Sequence, residues 1–143
     1  MLIPYITLAN PRAAMELYKK ALNASVTVIM DGPGGSVMHA EMSIAEQRFM
    51  LSGEWPGMST APSNRSPVNF MLYVDNVEAA LKQASEAGMS TVSEPQTMFW
   101  GDRVAKAQDG HGYEWTFAQQ VEDVSADEMR KRAAEFAATL GSE

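Results

Sequence analysis

Cysteine, long apolar runs and an excess of basic residues are all missing from this sequence of 143 residues. Without cysteine, the protein has no disulfide bonds, thiolate nucleophiles or cysteine-ligated zinc. The apolar runs are too short to cross a bilayer, and MLIPYITLANP lacks the basic segment and long apolar core of a secretory signal. We therefore expect a cytoplasmic protein without a membrane partner. The 18 acidic residues outnumber the 11 basic ones, and because a net negative charge repels phosphate backbones, we expect no nucleic-acid partner.

Common catalytic motifs are absent as well. There is no G-x-S-x-G nucleophile elbow, and the glycines of Asp31 to Gly35 lie between predicted strands and not at the start of a helix. Serine triads and phosphate-binding loops are therefore not expected. The length is that of one well-buried domain.

The first half of the sequence predicts a strand, a helix and three more strands. Leu2 to Leu8 is β-branched and aromatic, and Asn10-Pro11 is typical of a helix start. Asn23 suits the left-handed residue at the end of that helix. The following strands are predicted at Val26 to Met30, Val37 to Ile44 and Arg48 to Ser52.

The segment from Gly53 to Pro67 has no periodicity and is rich in proline, serine and glycine. Loops of this length are usually either mobile flaps over a site or disordered connectors. Trp55 and Met58 would suit a flap, and both alternatives remain open at this stage.

After this linker the pattern of the first half begins again. An offset of 66 residues, from 74 − 8, aligns Leu8 with Val74 and Asn10 with Asn76. Asp75 and Glu78 fit a capping box at the start of a second helix that ends at Gly88. The remaining predicted elements are strands at Val68 to Val74, Ser90 to Val92 or slightly beyond, Arg103 to Gln108 and Glu114 to Gln119, and a helix from Ser125 to about Leu140.

The richest stretch for recognition chemistry runs from Met98 to Gln119. Its glycines predict a tight hairpin turn at Asp109-Gly110-His111-Gly112. Upstream of the turn, Trp100 and Arg103 offer an apolar face and a planar donor fork, which suit an anionic or planar conjugated ligand. The alternative is that the indole caps the core while Asp102 neutralises Arg103 at the surface.

This stretch also resembles a known family. FWGDR, a short strand and the pattern D-x-x-G-x-x-W, together with VMHAEMSI, FMLSGE and VSADEMRKR, are similar to the PhnB-like branch of the vicinal oxygen chelate superfamily. That superfamily includes glyoxalase I, extradiol dioxygenases and bleomycin-resistance proteins. The resemblance covers nearly the whole chain, and it implies an α+β fold of two βαβββ modules that form a curved mixed sheet around a cavity, plus a C-terminal helix. Module 1 would span about 1–52, the linker 53–67, module 2 about 68–119 and the final helix about 125–140.

The resemblance further implies four metal-ligand positions, which this chain fills with Ile3, Asn69, Thr116 and either Met50 or Ser52. None of these side chains replaces the imidazole and carboxylate that a divalent ion requires. We therefore predict no cofactor. A divalent metal held by His39, Glu41 and Glu114 is the weaker alternative.

Glu41 is the best acid-base candidate, because desolvation in an apolar cavity would raise its proton affinity. The alternative is a structural ion pair between Glu41 and Arg48 or Arg103. The predicted function is binding of a small organic molecule between the modules of a homodimer, with either metal-independent lyase or isomerase activity or a purely sequestering role. The residues predicted to contact the ligand are His39, Met50, Trp55, Asn69, Met71, Trp100, Arg103, Glu114 and Thr116.

Overall fold

The computed structural model describes residues 1–141 and consists of two βαβββ modules followed by a helix. Module 1 contains β1 (Tyr5–Thr7), α1 (Pro11–Leu22), β2 (Ser25–Asp31), β3 (Val37–Ile44) and β4 (Gln47–Ser52), with a short 3-10 turn at Pro33–Gly35. Module 2 contains β5 (Phe70–Tyr73), α2 (Val77–Ala87), β6 (Ser90–Thr97), β7 (Asp102–Gln108) and β8 (Glu114–Gln120), and α3 (Ala126–Leu140) ends the described chain. The α+β fold expected from the sequence is confirmed.

The strands form two separate four-stranded sheets, which we call the first and the second sheet. Their orders are β1-β4-β3-β2 and β5-β8-β7-β6. In each sheet the strand before the helix pairs in parallel with the last strand of the module, and the other pairs are antiparallel. The two modules therefore repeat one topology, as the offset of 66 residues predicts.

The start of α2 corrects one sequence prediction. The N-cap is Asn76, whose side-chain oxygen accepts a hydrogen bond from the Ala79 amide at 2.9 Å. The predicted capping box of Asp75 with Glu78 is wrong, because Glu78 instead pairs with Arg103. Asn10 caps α1 in the same way, because its side-chain oxygen accepts from the Ala13 amide. The two aligned asparagines are therefore the N-caps of the corresponding helices in both modules.

Strand lengths also differ from expectation. β1 and β5 are shorter than the apolar runs that predicted them, whereas β6 continues to Thr97. Pro95 lies inside β6, and it is tolerated there because an edge strand does not need every backbone N–H. The composition of β6 is typical of a turn, so the sequence underestimates the length of this edge strand.

Asp109 accepts four hydrogen bonds through its carboxylate, one of which joins the two modules. It is buried, and its carboxylate accepts from the backbone amides of His111 and Tyr113 within the hairpin turn, which confirms that turn. The Trp115 indole and the Tyr18 hydroxyl of α1 donate to it at 3.1 and 2.6 Å. Burial and the nearby carboxylate raise the pKa of Tyr18 far above its ordinary range.

The segment between the modules has no helix or strand beyond an isolated bridge between Trp55 and Ser59. Its C-terminal part is nevertheless tied to the hairpin turn, because the Ser66 amide donates to the Gly112 carbonyl at 2.7 Å. A side chain at position 112 would collide with Pro62, so glycine is required at this contact. The end of the segment is therefore a fixed wall beside the second sheet.

The final helix α3 lies on the outside of module 2 and has no buried residue. Arg132 attaches it, since its guanidinium donates to both carboxylate oxygens of Glu122 and to the Phe99 carbonyl. Phe136 stacks on Phe99 with ring centroids 5.3 Å apart. Within residues 1–141, no helix is long and apolar enough to span a membrane.

Candidate binding site

Each sheet has a face turned away from its helix, which we call its open face. In β7, Ala105 and Ala107 are in the core beneath α2, so the alternate residues Val104 and Lys106 lie on the open face. In β3, Ala40 and Met42 are in the core, so His39 and Glu41 lie on the open face of the first sheet. These two faces carry most of the side chains that the sequence predicts to contact a ligand.

A cavity of about 570 Å³ lies on the open face of the second sheet and extends under the end of the linker. We call it the sheet-2 cavity. Its charged lining residues are Arg65, Glu94, Lys106 and Glu114, and its apolar ones are Pro67, Val92, Met98 and Val104. Asn69 also lines it, so two of the predicted contact residues, Asn69 and Glu114, share one cavity.

Glu114 is the unusual group of this cavity. Only 5% of the residue is exposed, and its carboxylate has no hydrogen bond or ion pair with any residue of 1–141. No side-chain oxygen in that part of the chain is both fully buried and without a partner, so the Glu114 oxygens stay accessible where the residue lines the cavity. The carboxylate can therefore accept hydrogen bonds from a molecule in the cavity.

Two cations line the same cavity without partners in the described chain. Lys106 lies on β7 directly opposite Thr116, and Glu114 lies opposite Gln108. Lys106 and Glu114 are therefore diagonal neighbours on one face, roughly 7–8 Å apart between Cα atoms. They form no ion pair with each other, and Arg65 on the linker forms none with any described residue.

The open face of the first sheet carries a different arrangement, which we call the sheet-1 cluster: Tyr5, His39, Glu41 and Arg48. The Tyr5 hydroxyl lies 2.9 Å from His39 Nδ1. His39 Nε2 lies 3.6 Å from Glu41 Oε1, and Arg48 lies 3.7 Å from Glu41 Oε2. The predicted alternative of an ion pair between Glu41 and Arg48 is therefore present, within a chain that links a phenol, an imidazole and a carboxylate.

Trp100 and Arg103 do not meet. The Trp100 indole donates to the buried carboxylate of Asp102 at 3.2 Å, and Tyr73 donates to the same oxygen at 2.7 Å. This hydrogen bond raises the pKa of the Tyr73 phenol. Arg103 lies on the opposite face of β7, where it pairs with Glu78 of α2 and lowers the pKa of that carboxylate. Adjacent residues of a strand point to opposite faces, so the two side chains cannot bracket one opening.

The remaining predicted contacts are divided between the sheets. Met50 pairs with Tyr5 and Glu41 on the first sheet, whereas Met71 and Thr116 pair with each other on the second. Trp55 lines a separate groove of about 660 Å³ at the end of module 1, next to the start of α1. The structure therefore places these four remaining residues in three separate locations.

The residues at the expected metal positions do not fit a divalent ion. Met50 and Thr116 lie on open faces as expected, but a thioether and a hydroxyl are weak donors for such a metal. Within residues 1–141, no three His, Asp or Glu side chains lie close enough together to hold a metal. His39, Glu41 and Glu114, the weaker alternative, do not form such a group within the described chain.

Sequence reasoning missed Lys106 and Arg65. Lys106 was detectable, because the alanines at 105 and 107 place it on the opposite face of β7, two residues from Val104. Arg65 lies in the aperiodic linker, which gives no signal of direction. Only its position under the second sheet reveals that it lines the cavity.

Comparison with known proteins identifies the family. The family model described as the Glyoxalase/Bleomycin resistance protein/Dioxygenase superfamily matches residues 5–117. The chain belongs to this superfamily. An uncharacterized protein of Mycobacterium tuberculosis (strain H37Rv) is 30% identical over 135 residues, which cover 90% of this chain and 79% of the relative.

Solved structures show the same fold. The crystal structure of a gene product from Arabidopsis thaliana has a TM-score of 0.70 and 27% identity, with coverage of 82% of this chain and 97% of that one. The fosfomycin resistance protein FosX from Listeria monocytogenes, in complex with Mn(II) and sulfate, has a TM-score of 0.66 at 10% identity and covers 93% and 96% of the two chains. At that identity the likeness concerns the fold alone.

Proposed function

We propose that this protein binds a small organic molecule in the sheet-2 cavity and that no resident metal takes part. The observation that carries this proposal is Glu114, whose residue is only 5% exposed and whose carboxylate opens onto the cavity without a partner in the described chain. A ligand in the cavity can supply the donor that the described chain does not.

The size and lining of the cavity support this proposal. Small-molecule sites usually enclose about 300–1,000 Å³ and combine apolar walls with a few polar groups that orient the ligand. The sheet-2 cavity has about 570 Å³ and offers Val104 and Met98 beside the charged groups. We further propose that the protein is of the PhnB-like type, on the sequence stretches that resemble that branch.

We propose that the protein forms a homodimer. The edge strand β2 is exposed along its whole length and includes the apolar residues Val28, Ile29 and Met30. Unpaired edges and exposed apolar strands favour association with a second copy. Light scattering at micromolar concentrations should give twice the monomer mass of 15.6 kDa, and the monomer mass across that range would contradict the proposal.

A metal-independent lyase or isomerase is the second candidate function, and the sheet-1 cluster favours it. A phenol, an imidazole and a carboxylate in a row can move a proton between a substrate and solvent. Glu41→Gln should then abolish turnover of a substrate while its binding persists. Unchanged turnover in that variant would exclude Glu41 as the base.

The binding site itself is tested with cavity-filling variants. Ser93 on the edge strand β6 lines the cavity, whereas the exposed Ser90 on the same strand does not. A small-molecule library is screened by ligand-observed NMR against the wild type, Ser93→Trp and Ser90→Trp. Hits that disappear in Ser93→Trp and persist in Ser90→Trp support the site, and hits that are indifferent to Ser93→Trp place binding elsewhere.

A further inference from the structure

The charges around the sheet-2 cavity carry information about the ligand beyond the fact of binding. Lys106 and Arg65 supply two positive groups, and Glu114 and Glu94 supply two negative ones. A ligand with a large charge of either sign would meet repulsion from half of this lining. The lining therefore favours a ligand with no net charge.

The charges are not neutralised by one another, which is the decisive point. Lys106 and Glu114 lie diagonally across β7 and β8 on the same face, yet they form no ion pair. Each of them is left with an unused donor or acceptor that faces one space. A neutral ligand with only hydroxyl groups would satisfy Glu114 but leave the ammonium of Lys106 unpaired.

We propose that the ligand is a small zwitterion. Its ammonium group would donate to Glu114, and its carboxylate or phosphonate would accept from Lys106 and Arg65. Its apolar part would pack on Val104 and Met98. This inference rests on the proposed function, because it names the chemical class that the same cavity takes.

Charge-assisted hydrogen bonds give the physical reason for selectivity. They are stronger than neutral ones, particularly where the partners are shielded from water. Glu114 is largely buried. A compound without the ammonium group should therefore lose more affinity than a compound in which only the apolar part differs. Different residues would contact the two ends of the ligand. Single substitutions can therefore test the recognition of each end separately.

The experiment uses a matched set of probes and isothermal titration calorimetry with the full chain. The probes are L-phenylalanine and its aminophosphonate analogue, phenylalaninamide without the anion, N-acetyl-L-phenylalanine without the cation, and uncharged phenylacetamide. We expect the zwitterions to bind at least about tenfold tighter than the other probes, which is about 1.4 kcal/mol. Equal affinity for all probes would overturn the inference, and the order of the two zwitterions distinguishes carboxylate from phosphonate.

Two variants assign the two ends of the ligand. Glu114→Gln should weaken binding of the zwitterions at least about tenfold and leave the affinity for N-acetyl-L-phenylalanine unchanged. Lys106→Met should also weaken binding of the zwitterions at least about tenfold, but it should leave the affinity for phenylalaninamide unchanged. A purely structural role would weaken all probes together, which would contradict the assignment. Glu135→Gln and Lys131→Met are matched controls, because both residues are exposed on α3 outside the cavity.

The result also separates this inference from the proposed function. If phenylacetamide binds as well as the zwitterions and Ser93→Trp removes its binding, the cavity binds small molecules but the zwitterion inference is wrong. If neither the probes nor the library yields a compound whose binding Ser93→Trp removes, both are wrong. The comparison of probes on the wild type decides the matter even if Glu114→Gln proves poorly folded.

Discussion

The two sheets have the same strand order, but the charged side chains on their open faces are paired on one sheet and unpaired on the other. On the first sheet, Glu41 is paired with Arg48 and lies near His39, which in turn contacts Tyr5. On the second sheet, Glu114 and Lys106 are neighbours, and neither side chain has a partner among residues 1–141. The repeated topology therefore determines on which face a side chain lies, but it does not determine whether a charged side chain has an ion-pair partner there. The unsatisfied face is the better candidate for binding.

A second comparison concerns two buried carboxylates at the two ends of the same short segment. The Asp109 side chain accepts four hydrogen bonds, whereas the side chain of Glu114, five residues later, accepts none from the part of the chain that the structure describes. The first is a structural group that joins the modules, and we propose that the second binds a ligand. The following predictions test this difference.

The largest effect is expected for Asp109→Ala. The substitution leaves the Tyr18 hydroxyl, the Trp115 indole and two backbone amides without their acceptor, so the free energy of unfolding should fall by about 3–5 kcal/mol. Urea denaturation followed by circular dichroism measures it. Asp75→Ala is the control, since Asp75 is exposed and does not cap α2. A loss below about 1 kcal/mol would mean that the four bonds are dispensable.

The second prediction concerns alkaline pH. The pKa of Tyr18 is raised by burial above its ordinary value of 10.0, so the unfolded chain releases this proton before the folded one does. The stabilisation is present below pH 10 and is lost as pH rises further, with a slope of up to about 1.4 kcal/mol per pH unit. Tyr18→Phe should start less stable and show a shallower slope, and identical slopes from pH 9 to 11 would contradict the prediction.

Glu114→Met should act in the opposite direction from Asp109→Ala. The substitution replaces a largely buried carboxylate, which has no partner among residues 1–141, by an apolar side chain of similar volume. Because this removes part of a desolvation cost, the free energy of unfolding should rise by up to about 1 kcal/mol at pH 7. Glu86→Met, at an exposed position of α2, is the control. If Glu114→Met is destabilising by a similar amount, the carboxylate has a partner in solution and the comparison with Asp109 fails.

The smallest effect is expected for Arg103→Ala. Its ion pair with Glu78 is partly exposed, so its loss should cost under about 1 kcal/mol. Since Arg103 faces α2, compounds that bind the sheet-2 cavity should keep their affinity within a factor of about two. Calorimetry on the hits of the library screen measures this, and a tenfold loss of affinity would return Arg103 to the site.

Several features of the fold could be predicted because they depend on neighbours in the sequence. The glycines around His111 predicted the hairpin turn, and the alternation along β3 placed His39 and Glu41 on one face. The choice of Asp75 over Asn76 as helix cap failed for a local reason. Both residues are good caps, and only the aligned Asn10 favoured the correct one.

The pairing of Trp100 with Arg103 failed for a different reason. The two residues are close in sequence, but the strand begins between them, and its alternation sends their side chains to opposite faces. The proposed site was predicted in part, since Glu114 and Asn69 line the cavity. The positively charged groups beside Glu114 are Lys106 and Arg65, which come from another strand and from the linker.

The sequence by itself determined the duplication, the strand and helix order and the hairpin turn, because each depends on residue types and spacings. The poor donor set was recognised through the metal positions that the family resemblance implies. Only the tertiary structure decided which charged groups are satisfied. Tyr18 reaches Asp109 across 91 residues, and Arg65 reaches the second sheet through a linker without regular structure. A buried carboxylate stabilises the fold when donors from distant segments contact it, and it is available to a ligand when they do not. Local sequence patterns do not show which distant segments come close.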